Sequence, residues 1–193
     1  WGDAVVCAAA LVYGTAQVYG YAQASGNARV CGDARVFGDA QVYDNARVFG
    51  NAVVYGNARV YDNAQVYGDA RVCGNARVYD NARVYGDAVV RGDAQVYDNA
   101  RVFGNARVFG NAQVCDNARV KTIADVITVG PLGSRNDTLS VFRIDTGWLC
   151  ATGCFVGSLD DLEQAARAKH GACVYGRQYE AVVRFAREMI AIA

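Results

Sequence analysis

Apolar and polar residues recur in a six-residue cycle from Trp1 to Val126, without one inserted or deleted residue. Counted from Trp1, the fourth position of every cycle is Ala, and the sixth is Val except at Ala24. One variable residue separates the two, as in Ala28-Arg29-Val30. Residues two apart in an extended chain point to the same side. Each cycle therefore predicts a short strand with a small apolar inner face.

The other three positions of the cycle predict a corner. A residue that is usually aromatic is followed by Gly-Asn, Gly-Asp or Asp-Asn, and these pairs tolerate left-handed backbone conformations. A strand of this size cannot bury its Ala and Val alone, so successive cycles must coil and stack on one another. The pattern therefore predicts an all-β solenoid over residues 1–126.

A slower period of eighteen residues sets the number of sides. The second position of the cycle is usually Gly, but every third cycle from residue 44 onward it is Asp. These acidic residues are Asp44, Asp62, Asp80, Asp98 and Asp116. If three cycles form one coil, the five carboxylates form a column along one edge of a prism. We therefore predict a three-sided parallel β-helix of about seven coils, stacked ~4.8 Å apart.

The Ala-x-Val unit, as in Ala28-Arg29-Val30, resembles the small-x-aliphatic repeat of the hexapeptide-repeat left-handed parallel β-helix family. The resemblance covers residues 1–126 and implies left-handed coiling. Tyr, Phe or Cys follows the aliphatic residue here, where that family usually has a small or acidic residue. The GNARV-type array followed by GPLGSRND, GCFVGSLDDLE and HG also resembles a group of bacterial and phage-encoded repeat proteins over nearly the whole chain.

The six-residue pattern stops after Val126, and residues 127–193 predict a small α/β cap. The expected elements are a strand, a hairpin around Asp145-Thr146-Gly147, a helix from Ser158 to about Lys169, and a helix from about Gln178 to Ile192. Ser158 and Asp161 form a capping-box pattern at the start of the first helix. Such a unit would cover the unpaired strand edges and open core at one end of the solenoid.

Two outward faces of the solenoid carry aromatic columns, which are the candidate binding residues. The first face carries Tyr43, Tyr61, Tyr79 and Tyr97; the second carries Phe49, Tyr85 and Phe103 with Arg47, Arg83 and Arg101. Such ladders can stack on sugar rings or bases. Alternatively, they only stabilise exposed strands by stacking on their own copies. Residues 1–126 contain twelve basic and twelve acidic residues, which argues against nucleic acid and leaves a protein or glycan partner.

The column of five Asp residues also has alternative interpretations. Oxygen ligands spaced along an edge could hold Ca²⁺. The residue three places after each Asp is usually Arg, such as Arg47 or Arg83, which allows weak surface ion pairs instead. We expect the carboxylates to be paired or solvated, and we expect neither a metal nor a cofactor.

The resemblance to hexapeptide-repeat proteins raises acyl transfer as an alternative function. In those enzymes it implies a catalytic His and a loop that interrupts the coils, whereas no cycle here is interrupted and the only histidine is His170. Without a general base in the coils, acyl transfer lacks its usual means of activating the nucleophile. We therefore expect a noncatalytic rigid scaffold or binding protein.

The C-terminal segment contains weaker candidates for chemistry. Cys154 and His170 could form a thiolate–base pair, and Arg135 could hold an anion. Alternatively, Cys150, Cys154, His170 and Cys173 provide four zinc-compatible side chains. A third interpretation is that all of them are structural core residues.

Charge, hydropathy and cysteine content indicate the compartment in which the protein is expected. The 193 residues carry 19 basic and 19 acidic side chains, and no apolar run is long enough to span a membrane. An odd count of seven cysteines favours a reducing compartment, and with the resemblance it points to the cytoplasm of a bacterium or a phage-infected cell.

The chain begins at Trp1 within a cycle, which suggests a fragment or processed chain. Its apolar first coil, with Trp1, Val5 and Val6, predicts a homodimer through that end or through a Tyr-bearing face.

Overall fold

The computed structural model describes residues 3–192, so Trp1 lies outside the described residues. The repeats contain 20 short strands of two residues each. They are β1 (Val5–Val6), β2 (Leu11–Val12), β3 (Gln17–Val18), β4 (Gln23–Ala24), β5 (Arg29–Val30), β6 (Arg35–Val36), β7 (Gln41–Val42), β8 (Arg47–Val48), β9 (Val53–Val54), β10 (Arg59–Val60), β11 (Gln65–Val66), β12 (Arg71–Val72), β13 (Arg77–Val78), β14 (Arg83–Val84), β15 (Val89–Val90), β16 (Gln95–Val96), β17 (Arg101–Val102), β18 (Arg107–Val108), β19 (Gln113–Val114) and β20 (Arg119–Val120).

These strands form three parallel sheets in which every third strand is a neighbour. Sheet 1 has the order β1-β4-β7-β10-β13-β16-β19, sheet 2 has β2-β5-β8-β11-β14-β17-β20, and sheet 3 has β3-β6-β9-β12-β15-β18. Arg59 pairs with Arg77 and Val60 with Val78, a register of eighteen residues. The three-sided solenoid with 18-residue coils is therefore confirmed.

The core of the solenoid consists of the Ala and Val positions of the cycle. From Ala22 to Val120 these side chains are almost completely excluded from solvent, whereas the residue between them faces outward. Backbone bonds along the axis join the coils, as where the Arg59 N–H donates to the Ala76 carbonyl at 2.9 Å. The apolar alternation in the sequence thus becomes a continuous core inside a hydrogen-bonded wall.

The last cycle differs from the prediction because residues 121–126 do not add a coil strand. A 3₁₀ turn occupies Ile123–Asp125, and the Asp125 carboxylate accepts hydrogen bonds from the backbone N–H groups of Lys121 and Thr122 at 3.0 and 2.7 Å. A side chain that bonds to nearby backbone competes with a strand ladder. The array therefore holds six complete coils and two strands of a seventh.

The C-terminal unit, residues 126–192, contains an antiparallel sheet and two helices. The strands are β21 (Val126–Leu132), β22 (Asp137–Ile144), β23 (Gly147–Thr152) and β24 (Phe155–Gly157), paired in chain order, and the helices are α1 (Leu159–His170) and α2 (Val174–Ala191). The capping box of Ser158 with Asp161 is present, and Gly171 is the C-cap of α1.

Helix α2 begins four residues before the predicted start at Gln178. Gly176 lies in its first turn, and a Cβ there would come within 2.0 Å of the Gly171 carbonyl oxygen. The absence of a side chain at Gly176 therefore allows the helix to pack against the preceding loop.

The C-terminal sheet lies between the last coil and the two helices. Phe142 and Ala151 are fully buried in the same cluster as the coil Val and Ala residues, whereas Leu139 and Val141 pack with the helices. The Ser140 hydroxyl accepts a hydrogen bond from the Gln113 N–H at 2.8 Å. One face of the sheet therefore rests on the open core of the solenoid. No helix within residues 3–192 is both long and apolar enough to cross a membrane.

Candidate functional site

The two aromatic columns predicted from the sequence form ladders along corners of the solenoid. The tyrosine ladder comprises Tyr43, Tyr61, Tyr79 and Tyr97, whose successive ring centroids are 4.9, 5.0 and 5.1 Å apart with interplanar angles of 3, 3 and 6°. The mixed ladder comprises Phe49, Tyr67, Tyr85 and Phe103, with spacings of 4.8, 4.9 and 5.1 Å. The eighteen-residue period therefore places each ring directly on the ring of the next coil.

This stacking limits what the ladders can bind. A ring within a ladder has both faces covered by its neighbours at about 5 Å, which leaves no gap for a sugar or base. The edges and hydroxyl groups are the parts that remain available. Stacking of a ligand on ring faces, which the sequence suggested, is therefore blocked inside each ladder.

The tyrosine ladder holds its hydroxyl groups in the protonated form. Burial, together with the nearby Tyr61 and Asp80, raises the pKa of Tyr79 to about 12. Burial also raises the pKa of Tyr43, Tyr61 and Tyr97. At neutral pH the ladder is a row of neutral hydroxyl groups, and Tyr79 donates one hydrogen bond to the Gln95 Oε1 at 3.3 Å.

A third ladder was not recognised in the sequence. Tyr19, Phe37 and Tyr55 stack at 4.9 and 5.2 Å on the corner between sheets 3 and 1. Further along the same corner, the Arg91 guanidinium lies 5.7 Å from the Phe109 ring centroid. The eighteen-residue spacing of these aromatics was visible, but Cys73 and Arg91 interrupt the column and hid it.

The outer face of sheet 2 carries an arginine column. Arg83 lies directly beside Arg101 in the register, and Arg47 lies two coils before Arg83 with Gln65 between them. Within residues 3–192 none of these three forms an ion pair. The column therefore presents donors that neighbouring carboxylates do not neutralise by direct contact.

The acidic ladder, Asp44, Asp62, Asp80, Asp98 and Asp116, occupies the corner between sheets 1 and 2 in the left-handed conformation, with φ of 55–57°. The backbone N–H groups of Asp80, Asp98 and Asp116 donate to the carboxylate one coil below at 3.4, 3.4 and 3.2 Å. The expected Asp–Arg pairs do not form in the described part of the chain. Backbone amides, instead of guanidinium groups, stabilise this column of like charges.

An asparagine ladder beside the acidic one was also missed. The Asn27 side-chain amide donates to the Asn45 Oδ1 at 3.2 Å, and Asn45 and Asn63 continue the chain of bonds at 3.4 and 3.5 Å to Asn81. The third position of the cycle thus ties neighbouring coils together.

The C-terminal unit contains a cleft of about 290 Å³ whose walls include Arg135, Cys154 and His170. All three weaker candidates of the sequence therefore meet in one place. No hydrogen bond joins Cys154 to His170 within residues 3–192, so the thiolate–base pair is not formed in this structure. The His170 ring instead stacks near Tyr179, with centroids 5.9 Å apart and an angle of 15°.

The alternative zinc set is not assembled. Cys150 is buried on the helix-facing side of β23, where its thiol donates to the Gly157 carbonyl at 3.3 Å and burial raises its pKa to about 12. Cys173 is the exposed N-cap of α2. Among the described residues, no three His, Cys, Asp or Glu side chains are grouped so as to hold a metal ion.

Comparison with known families finds a match within the coils. A family profile described as the YdcK beta solenoid repeat matches residues 40–56, 54–68, 64–78, 76–92, 94–110 and 100–113. The matched segments contain strands of all three parallel sheets described above. The chain is a β-solenoid repeat protein. No curated protein and no solved structure matches it.

In this β-solenoid repeat protein, the family profile matches only residues of the coils. The description of the C-terminal unit therefore depends on the structure alone. The two kinds of candidate site are therefore separate. The ladders and the arginine column lie on the repeats, and the cleft lies beyond the last coil.

Proposed function

We propose that this β-solenoid repeat protein is a noncatalytic, rigid scaffold that binds a protein partner along the outer face of sheet 2 and the adjoining aromatic ladders. The arginine column carries the proposal because Arg83 and Arg101 are directly adjacent in the register of sheet 2, whereas Val53 and Val89 separate the arginines of sheet 3. Arginine is enriched among residues that dominate protein interfaces.

The chemistry of the partner follows from the side chains on this face. Guanidinium groups donate bidentate hydrogen bonds that match carboxylates. The aromatic edges and hydroxyl groups beside them add donors at the spacing of the coils. An acidic protein surface is the natural complement, whereas a glycan would have to bind without stacking on the covered ring faces.

Rigidity supports binding by this face. The Arg83 N–H donates to the Ala100 carbonyl at 2.9 Å and the Tyr85 N–H to the Val102 carbonyl at 2.9 Å, as in the other coils. A surface that is already ordered loses little conformational freedom when it binds. The noncatalytic assignment of the coils is supported by the absence of histidine from residues 1–126.

A pair of triple variants tests the proposal. Arg47→Gln, Arg83→Gln and Arg101→Gln together should abolish retention of protein partners from a bacterial lysate, quantified by mass spectrometry on immobilised protein. The matched control replaces three outward arginines of sheet 3, Arg35→Gln, Arg71→Gln and Arg107→Gln, which removes the same charge and should leave retention unchanged. Equal loss in both variants, or glycan-array binding that the sheet 2 variant does not reduce, contradicts the proposal.

A further inference from the structure

The cleft in the C-terminal unit is built by three segments that other contacts hold in place. The turn after β21 is anchored where the Gly133 N–H donates to the Gln178 Oε1 at 3.1 Å. Only a residue without a side chain fits there, since a Cβ on Gly133 would come 2.7 Å from the Tyr179 hydroxyl. This anchored turn carries Arg135, which lines the cleft.

The second and third segments are the turn between β23 and β24 and the last turns of α1. Gly153 has φ of 57°, and its missing side chain lets the Asp137 carboxylate lie against the turn that carries Cys154. Helix α1 contributes Leu162 and Ala166 as an apolar floor, and Lys169 and His170 near its end. The sequence segments GSRND, GCF and HG thus meet around one space.

The charge of the lining favours an anion. Arg135 and Lys169 both line the cleft, and neither forms an ion pair in the part of the chain that the structure describes. Asp137 is the one carboxylate among the lining residues, so fixed cations outnumber fixed anions. Unpaired cations over an apolar floor suit a ligand with one charged end and one apolar body.

An orphaned hydroxyl is an independent indication of a ligand. Thr152 lines the cleft, is only 7% exposed, and its Oγ1 is the buried side-chain oxygen or nitrogen that lacks a hydrogen-bond partner within residues 3–192. It lies two residues after Cys150 on β23, on the sheet face that packs against the helices. A buried hydroxyl without a hydrogen-bond partner is a destabilising feature of the unliganded cleft wall.

We propose that this cleft binds a small organic anion, with an apolar body on Leu162 and Ala166 and a carboxylate or phosphate held by Arg135 and Lys169. The site is distinct from the arginine column of sheet 2, and the proposal does not depend on the function of the coils.

Alkylation of Cys154 provides a test with internal controls. Cys7, Cys154 and Cys173 are the exposed thiols of the described chain, and only Cys154 lines the cleft. Iodoacetamide labelling of each thiol is followed by mass spectrometry with phenyl phosphate, benzoate or neutral benzyl alcohol present. An anion at about ten times its Kd leaves about a tenth of the sites open, so labelling of Cys154 should slow about tenfold while Cys7 and Cys173 are unaffected.

Variants separate the site from general effects. Arg135→Gln and, independently, Lys169→Gln should remove the protection, whereas Arg177→Gln on α2 outside the cleft should keep it. The buried Cys150 should stay unlabelled in every folded variant, which provides the check on folding. A difference between phenyl phosphate and benzoate identifies the preferred anion. The proposal is overturned if neither anion protects Cys154 at millimolar concentration, or if benzyl alcohol protects equally well.

Discussion

Single residues in the coils differ sharply in importance according to the side on which they lie. Val89 and Val90 are adjacent in β15, yet Val90 is fully buried in the solenoid core and Val89 faces outward. Identical side chains in neighbouring positions therefore isolate the effect of the inner face.

We expect Val90→Ala to lower the free energy of unfolding by about 2–3 kcal/mol, because it removes two buried methyl groups and leaves a cavity in a closely packed column. Val89→Ala, the matched control, should change it by less than about 0.5 kcal/mol. Urea denaturation followed by circular dichroism measures both values. Equal costs for the two variants would show that the inner and outer faces are assigned wrongly.

Cysteine reactivity also follows burial at this scale. Cys115 is buried, and burial raises the pKa of its thiol to about 11, whereas Cys7 is exposed. Since the thiolate is the reactive form, Cys7 should react with Ellman's reagent much faster than Cys115 at pH 8 in the native protein. Comparable native rates would contradict the placement of Cys115; both should react quickly in urea.

At the scale of elements, the tyrosine ladder makes the stability of the coils depend on pH. An unfolded Tyr has a pKa of about 10, whereas burial raises the pKa of Tyr79 to about 12. Below pH 10 both states keep the proton, so the ladder's contribution is complete. Between pH 10 and 12 the unfolded chain ionises first and binds fewer protons, so the free energy of unfolding falls as pH rises.

We therefore expect stability to decline through pH 10 to 12, and Tyr79→Phe, which keeps the stacked ring, to reduce that decline. Urea unfolding at several pH values measures it, and Tyr175→Phe in α2 is the control. An identical decline in Tyr79→Phe and the wild type would show that the ladder hydroxyl is not responsible.

The strands inside the repeats could be predicted because each position of the six-residue cycle has the same structural environment in every coil. The alternation of Ala and Val fixes the strands, and the Asp at every third corner fixes the sides. Prediction failed where a residue acts through one particular neighbour. Asp125 ends the coils by binding local backbone, and Gly176 lies inside a helix because it packs on Gly171.

The candidate sites show the same division. The ladder residues could be found from their spacing, but only the three-dimensional structure shows that neighbouring rings cover each other's faces. Arg135, Cys154 and His170 were found by residue type, whereas the unpartnered Thr152 carried no pattern in the sequence. Long-range packing in the C-terminal unit brought them together.

For the whole molecule, the two ends of the solenoid differ. The C-terminal sheet covers the last coil, whereas Val5, Val6 and Leu11 at the first coil are 45, 48 and 52% exposed. Exposed apolar residues on an unpaired strand edge favour association. We propose that the 193-residue chain forms a homodimer through this edge.

Multi-angle light scattering tests the homodimer. Leu11→Asp should shift the protein to monomer, while Ile192→Asp, which places the same charge on an exposed apolar residue in the C-terminal unit, should not. A monomeric wild type at high micromolar concentration would refute the pairing.

The central claim is that three six-residue cycles close one coil, because the faces, the ladders and the arginine column all follow from it. Spin labels at residues 35 and 107, both outward on sheet 3, measure it by pulsed electron paramagnetic resonance in a variant without native cysteines. They are 72 residues apart, so coils of eighteen place their Cα atoms four coils apart, about 19 Å at ~4.8 Å per coil. A backbone separation near 29 Å, as twelve-residue coils would give, or near 14 Å, as twenty-four-residue coils would give, would contradict the account.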